Sequence, residues 1–161
     1  MSGPVSGPVS ERPVSERPVS ERPVSERPAS GPPPSARVAY DFAVLRAVPH
    51  PHLGTFVPVG VVVHARTREF VRLRALTDAA ELARRVREVD AELLARYLAA
   101  CEAVCRGEDG AGVVALAPPS ERFHWLTAPR SDVLQCSPVH GGLCDDPAVA
   151  LERLFALHVG R

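Results

Sequence analysis

The chain contains no lysine, asparagine or isoleucine, and only one methionine and one tryptophan. Its 19 cationic side chains are therefore all arginine, and the three missing types share AT-rich codons, which marks a GC-rich coding sequence. Nineteen acidic side chains balance them to a formal charge of zero. Without a surplus of either sign, nothing draws the protein toward a polyanion or an anionic membrane, which argues against a dedicated nucleic-acid binder. Long hydrophobic runs are lacking too. The longest, Phe56 to Val63, is interrupted by Pro58 and falls far short of the roughly 20 residues that span a bilayer. No membrane helix is expected, and the N-terminus lacks the apolar stretch of a secretory signal. The expected compartment is the cytoplasm, with the four cysteines as reduced thiols rather than disulfides.

What is present divides sharply. Residues 1–37 hold two Ser-Gly-Pro-Val units and then Ser-Glu-Arg-Pro-Val units beginning at Ser10, Ser15, Ser20 and Ser25, a tandem repeat of period five. Proline at every fifth position blocks helix and ladder pairing, and isolated valines cannot build a core, so this segment is expected to be a disordered, polyproline-II-rich tail. It reads as a simple appendage or as a spacer or SH3-type ligand; a P-x-x-P-like core is approached only at Pro32 to Pro34. Val38, where the ordered pattern begins, is also a residue whose codon can initiate bacterial translation.

Residues 38–161 have the composition of one globular domain. Val38 to Val48 alternates Tyr40, Phe42 and Val44 against Asp41 and Ala43 and ends at Pro49, which predicts a strand. Thr55 to Ala65 predicts a second strand covered on both faces, with Pro58 at an edge or a bulge and Gly60 at a bend or close backbone approach. Phe70 to Leu76 predicts a third, with Arg72 and Arg74 on a wet face. Asp78 with Glu81 forms a capping box for a short helix, and Asp90 caps a longer one. The longer helix places Leu94, Tyr97, Leu98, Cys101, Val104 and Cys105 on one stripe and ends at Gly107. Arg122 to Ala128 and Asp132 to Ser137 read as a hairpin. Asp146-Pro147 opens a terminal helix that buries Val149, Leu151, Leu154, Phe155 and His158. The expected fold is α+β: an antiparallel sheet of about five strands in the order β-β-β-α-α-β-β-α, with the helices on one face.

Polar residues are densest between Ser120 and Cys144. Arg122, His124, Arg130, Ser131, Gln135, Ser137 and His140 are donors suited to an anion, and Arg grips phosphate or carboxylate bidentately. Gly141-Gly142 would let backbone N–H groups approach the same anion. Arg122 and Arg130 also sit beside Glu121 and Asp132, with which they can simply pair. A rigid aromatic hairpin between prolines suits a protein contact as well, with Phe123 and Trp125 as anchors. Cys136, His140 and Cys144 read C-x3-H-x3-C, and Cys101 and Cys105 lie one helical turn apart, but this is not a zinc spacing, and neither metal nor cofactor is expected. Ser137 with His140, or Ser120 with His124, are candidate nucleophile and base, with Asp132 or Asp145 as the orienting acid, yet neither serine is flanked by a nucleophile elbow. The loop from Gly107 to Gly112 lacks the lysine of a P-loop. His50, His52 and His64 fall in or beside the first strands, where surface or packing roles are the default.

Several of these stretches together carry a likeness. Tyr40-Asp-Phe-Ala-Val-Leu-Arg46-Ala-Val-Pro49, Phe56-Val-Pro-Val-Gly-Val-Val62, Ser120-Glu-Arg-Phe-His-Trp125, Ala128-Pro-Arg-Ser131, Gln135-Cys-Ser-Pro-Val-His140 and Leu143-Cys-Asp-Asp-Pro147 resemble the Domain of Unknown Function 3037 family of bacteria over residues 38–158. The family's second strand usually reads F-V-N-V-G, and here Pro58 takes the Asn place. The resemblance brings no reaction. It implies an accessory or partner role, with a HipA-like kinase encoded nearby as the partner. Two functions are therefore carried forward. One is a partner-binding module using Arg122, His124, Trp125, Arg130, Ser131, Gln135, Ser137 and His140. The other is a phosphate-handling or hydrolytic enzyme using Arg122, Arg130, Ser137 and His140.

Overall fold

A computed structural model describes residues 37–130 and 132–160; the repeat tail and Ser131 lie outside them. The elements in chain order are β1 (Val38–Ala47), β2 (Val57–Ala65), β3 (Phe70–Ala75), α1 (Ala79–Arg85), α2 (Ala91–Arg106), α3 (Pro119–Thr127), β4 (Leu134–Cys136), β5 (His140–Cys144) and α4 (Pro147–His158). The five strands form one antiparallel sheet in which β2 lies between β3 and β1, while β4 and β5 both pair with the far side of β1. The α+β class and the five-stranded antiparallel sheet agree with the sequence pattern.

Local chemistry sets the element ends. Asp78 accepts the N–H groups of Ala80 and Glu81, Asp90 that of Leu93, and Asp146 that of Ala148, so each of these helices opens on a side-chain cap. Gly107, at φ 68°, closes α2 in the left-handed conformation that glycine adopts without penalty. On β2, the pairing with β1 slips by one residue between Gly60 and Pro58, leaving Val59 as the extra residue of a bulge beside the proline. A Cβ at Gly60 would lie 3.0 Å from the Arg74 carbonyl, so glycine lets the neighbouring strand approach.

Four expectations are corrected. Arg122 to Ala128 is not a strand, and there is no hairpin: the segment forms α3, because Pro118-Pro119 supplies a proline start and Phe123 and Leu126 bury one helical face. The fifth strand is instead His140–Cys144, which contains the Gly141-Gly142 pair expected to bring backbone N–H groups to an anion. The helices also do not all share one face. Directly paired residues point to the same side of a sheet. His64, Val62 and Leu45 therefore face α2 and α3: Phe123 stacks on His64 with ring centres 5.1 Å apart, and Cys101 and Leu126 lie beside Leu45. Phe42, Val63 and Arg74 point the other way, where His158 meets Phe42 and Phe155 lies under the Arg74 guanidinium at 4.6 Å. The cause is β2, whose Val59, Val61, Val62 and Val63 are all fully buried and so need cover on both sides. On α4, Val149 was expected inside and is exposed, while Leu151 and Leu154 are buried.

Strands β4 and β5 act as one strand interrupted at Ser137. The Ser137 N–H donates to the Val44 carbonyl at 2.8 Å, and its Oγ accepts the Val44 N–H at 3.0 Å, replacing the carbonyl that the turn at Pro138 has carried away. Ser137→Ala should strand that buried amide and cost about 1–3 kcal/mol. Urea unfolding of the variant tests this; an unchanged midpoint would remove the hydroxyl from the ladder.

Candidate functional site

The N-terminal half of α2 leaves Leu93 and Tyr97, one turn apart, only partly covered. Beside them runs the segment entering β4, with Val133 also outside the core. Between the two lies a groove of about 390 Å³, walled by Val89, Leu93, Leu94, Tyr97 and Val133 and rimmed by Asp90 and Asp132. At one end Arg130 ties the helices together. Its Nη1 donates to the Tyr97 hydroxyl at 2.8 Å, its Nη2 to the Trp125 carbonyl at 2.9 Å, and its guanidinium stacks on the Trp125 ring at 4.6 Å. Leu93, Tyr97, Trp125 and Val133 are between 37% and 56% exposed, an unusual density of large apolar side chains for one surface.

The residues expected from sequence to form a site are dispersed by the fold. Arg122 is committed to the end of α2, where Nη1 donates to the Cys105 carbonyl at 2.7 Å and lies so close to Gly107 that a Cβ there would collide with it. His124 stands exposed on α3. Trp125 and Arg130 meet as described, whereas Phe123 is buried against His64 and presents nothing to a partner. Gln135 donates to the Asp132 carbonyl at 3.0 Å. Ser137 is in the ladder, and its hydroxyl donates to the Pro138 carbonyl. His140 pairs with Phe42 and packs on its ring, on the α4 side of the sheet and away from Arg130. Arg122, Arg130, Ser137 and His140 are thus each engaged in a different place. Among the described residues of the set, Trp125 and Arg130 touch directly, and Gln135 lines a small cavity with Arg130. Tyr97 and Leu93 complete the groove and were missed, Tyr97 because it falls on the apolar stripe of α2 and Leu93 because it falls beside it.

One serine–histidine contact does form, but not between the residues that are neighbours in sequence. The Ser120 hydroxyl meets His64 Nε2 at 3.0 Å, with His64 5% exposed beneath Phe123. Burial holds the imidazole below its ordinary pKa, against the attraction of Asp41 and with some help from His124 and Arg66. His64 is therefore neutral at pH 7. The thiols are similarly inert: burial pushes Cys105 up to about 12 and Cys136 up to about 11, and Cys101 is raised in the same direction. Cys136 donates to the Leu126 carbonyl, and Cys144 lies at the opposite end of the β1 edge near the Val38 carbonyl. Among the described residues, no three His, Cys, Asp or Glu side chains gather as a metal site. No described helix is long and apolar enough to cross a membrane.

Comparison with known families matches residues 42–159 to the family described as Protein of unknown function (DUF3037). The chain belongs to that family. No curated protein and no solved structure gives a significant match.

The buried imidazole makes stability depend on pH. The unfolded chain takes up a proton on His64 near the ordinary value of about 6.5, and the folded chain only at lower pH. Its contribution is accordingly complete above that value and lost as pH falls toward the folded pKa. Urea midpoints measured from neutral to mildly acidic pH should decline, and His64→Phe, which keeps the ring stack, should decline less. Parallel curves for the two proteins would refute the assignment.

Proposed function

We propose that this member of the DUF3037 family is a small cytoplasmic accessory module whose docking surface is the groove between α2 and the segment entering β4. The observation that carries the reading is the cluster of Tyr97, Trp125 and Arg130, held to one another by hydrogen bonds and a cation–π stack at the end of an apolar groove. Tyr, Trp and Arg are the side chains that dominate binding energy at protein interfaces, and here they are already ordered, so little entropy is lost on docking. The occupant is an apolar side chain of a partner protein seated between Leu93 and Val133. A flanking acidic group of the partner takes the N–H groups that Arg130 has left over. The anion-binding character expected of the wider surface is in this way narrowed to Arg130, with exposed His124 on the same helix as Trp125. A HipA-like kinase encoded nearby is the first partner to test.

Calorimetric titration of the full chain with that kinase-like protein should give binding that Trp125→Ala and Leu93→Asp each weaken about tenfold or more, the effect of losing a central contact of about 2 kcal/mol. Both side chains are partly exposed, so circular dichroism and thermal unfolding should stay near wild type. Binding that neither substitution disturbs would move the interface elsewhere, and absence of binding would discard this partner.

A further inference from the structure

The two edges of the sheet are finished differently. In an antiparallel ladder, alternate residues turn their backbone groups toward the neighbour and away from it. On β3 two of the outward groups are met by side chains: the Ala75 N–H donates to Glu102 at 2.8 Å, and the Val71 carbonyl accepts from the Arg72 guanidinium at 2.8 Å. On the opposite edge, the outward Cys136 carbonyl of β4 is likewise covered, accepting from Arg46 Nη2 at 2.9 Å. Strand β5 continues that edge without such cover. Its pairing with Tyr40 and Phe42 turns Gly142 and His140 inward and leaves the N–H and C=O groups of Gly141 and Leu143 facing away from β1. Among the described residues, neither has a backbone hydrogen-bond partner on that side. The strand also carries none of the devices that discourage pairing, since His140-Gly-Gly-Leu-Cys144 contains no proline and no Arg, Asp or Glu.

We propose that β5 is a homodimerisation edge, in which β5 of a second copy of this chain pairs antiparallel with it about Gly142 and joins two sheets into one. The register follows from which groups are free. Gly141 of one copy opposes Leu143 of the other and the reverse, so the same two residues supply both sides of an isologous contact. Gly142 falls on the axis, where facing strands come closest. The Tyr40 ring packs over it so tightly that a Cβ would sit 2.5 Å from the ring, which keeps this position flat. A few ladder bonds are not enough for a stable pair, because specific interfaces bury about 1,200–2,000 Å². The adjoining surface supplies apolar area: Leu143, Val149 and Leu157 are 50–65% exposed and line one groove of about 540 Å³. Arg37 and Arg153 stand in that groove with Asp145 and Asp146, so the patch carries no net charge that would repel a second copy.

Sedimentation equilibrium of the full chain should show a mass rising with concentration from 17.3 kDa toward twice that value. Over the same range, hydrogen exchange at the Gly141 and Leu143 amides should slow. Leu143→Lys places a charge on an exposed side chain and should abolish the dimer while the circular dichroism spectrum and thermal midpoint stay near wild type. A monomer at every concentration would overturn the proposal. So would a dimer that survives Leu143→Lys while both amides exchange freely, or amide protection already complete in the monomer. Should Leu143→Lys fail to fold, the concentration dependence of exchange in the wild-type chain decides.

Discussion

Strand β2 is apolar on both faces, and a strand with two apolar faces has to be covered twice. With Val61 and Val63 turned to one side and Val62 to the other, all fully buried, a single helical layer would leave half of these side chains in water. The helices α2 and α3 cover one face and α4 the other. That division places the remaining surfaces. The Tyr97–Arg130–Trp125 groove belongs to the α2–α3 side. The Phe42–His140–His158 contacts belong to the α4 side, and the sheet separates the two.

The same constraint explains why the polar residues between Ser120 and Cys144 do not form one pocket. They lie close in sequence, but the chain between them passes from a helix on one face to a strand at the edge and then to a helix on the opposite face. Proximity along the chain is converted into separation. Conversely, Ser120 and His64 are 56 residues apart and make a direct contact, because α3 lies across β2. Histidine and serine counts in that segment therefore overstate the chemistry available at any one point.

The capping chemistry was legible in the sequence because it is local. Asp78, Asp90, Gly107 and Asp146 each act within a few residues of themselves, and each ends or begins a helix where the spacing predicts. The bulge at Pro58 was legible for the same reason. The segment from Arg122 to Ala128 was not, since Phe123, Trp125 and Thr127 fit a period of two as well as Phe123 and Leu126 fit a helical one. The decision rests on the proline pair before it and on which face finds the sheet. Of the candidate site, Trp125 and Arg130 could be picked out as exposed anchors by residue type. Tyr97 could not, because on a helical stripe of buried positions nothing in the sequence says that the first turns of α2 overhang the sheet.

A lysine-free chain also makes a particular use of its cations. The guanidinium is a planar fork of donors that stays charged, so it can satisfy a backbone carbonyl at the surface of the core. Arg46 does this for Cys136, Arg72 for Val71, Arg85 for Val159, Arg122 for Cys105 and Arg130 for Trp125. These are carbonyls at helix ends, strand edges and turns, the positions that secondary structure leaves short of donors. An arginine bonded in this way closes the fold and contributes little to a field that would gather a polyanion. The zero net charge and the dispersal of the guanidinium groups thus have one consequence. The docking proposed for this domain accordingly draws on the shape and apolar area of its exposed surfaces, with charge orienting what would dock there.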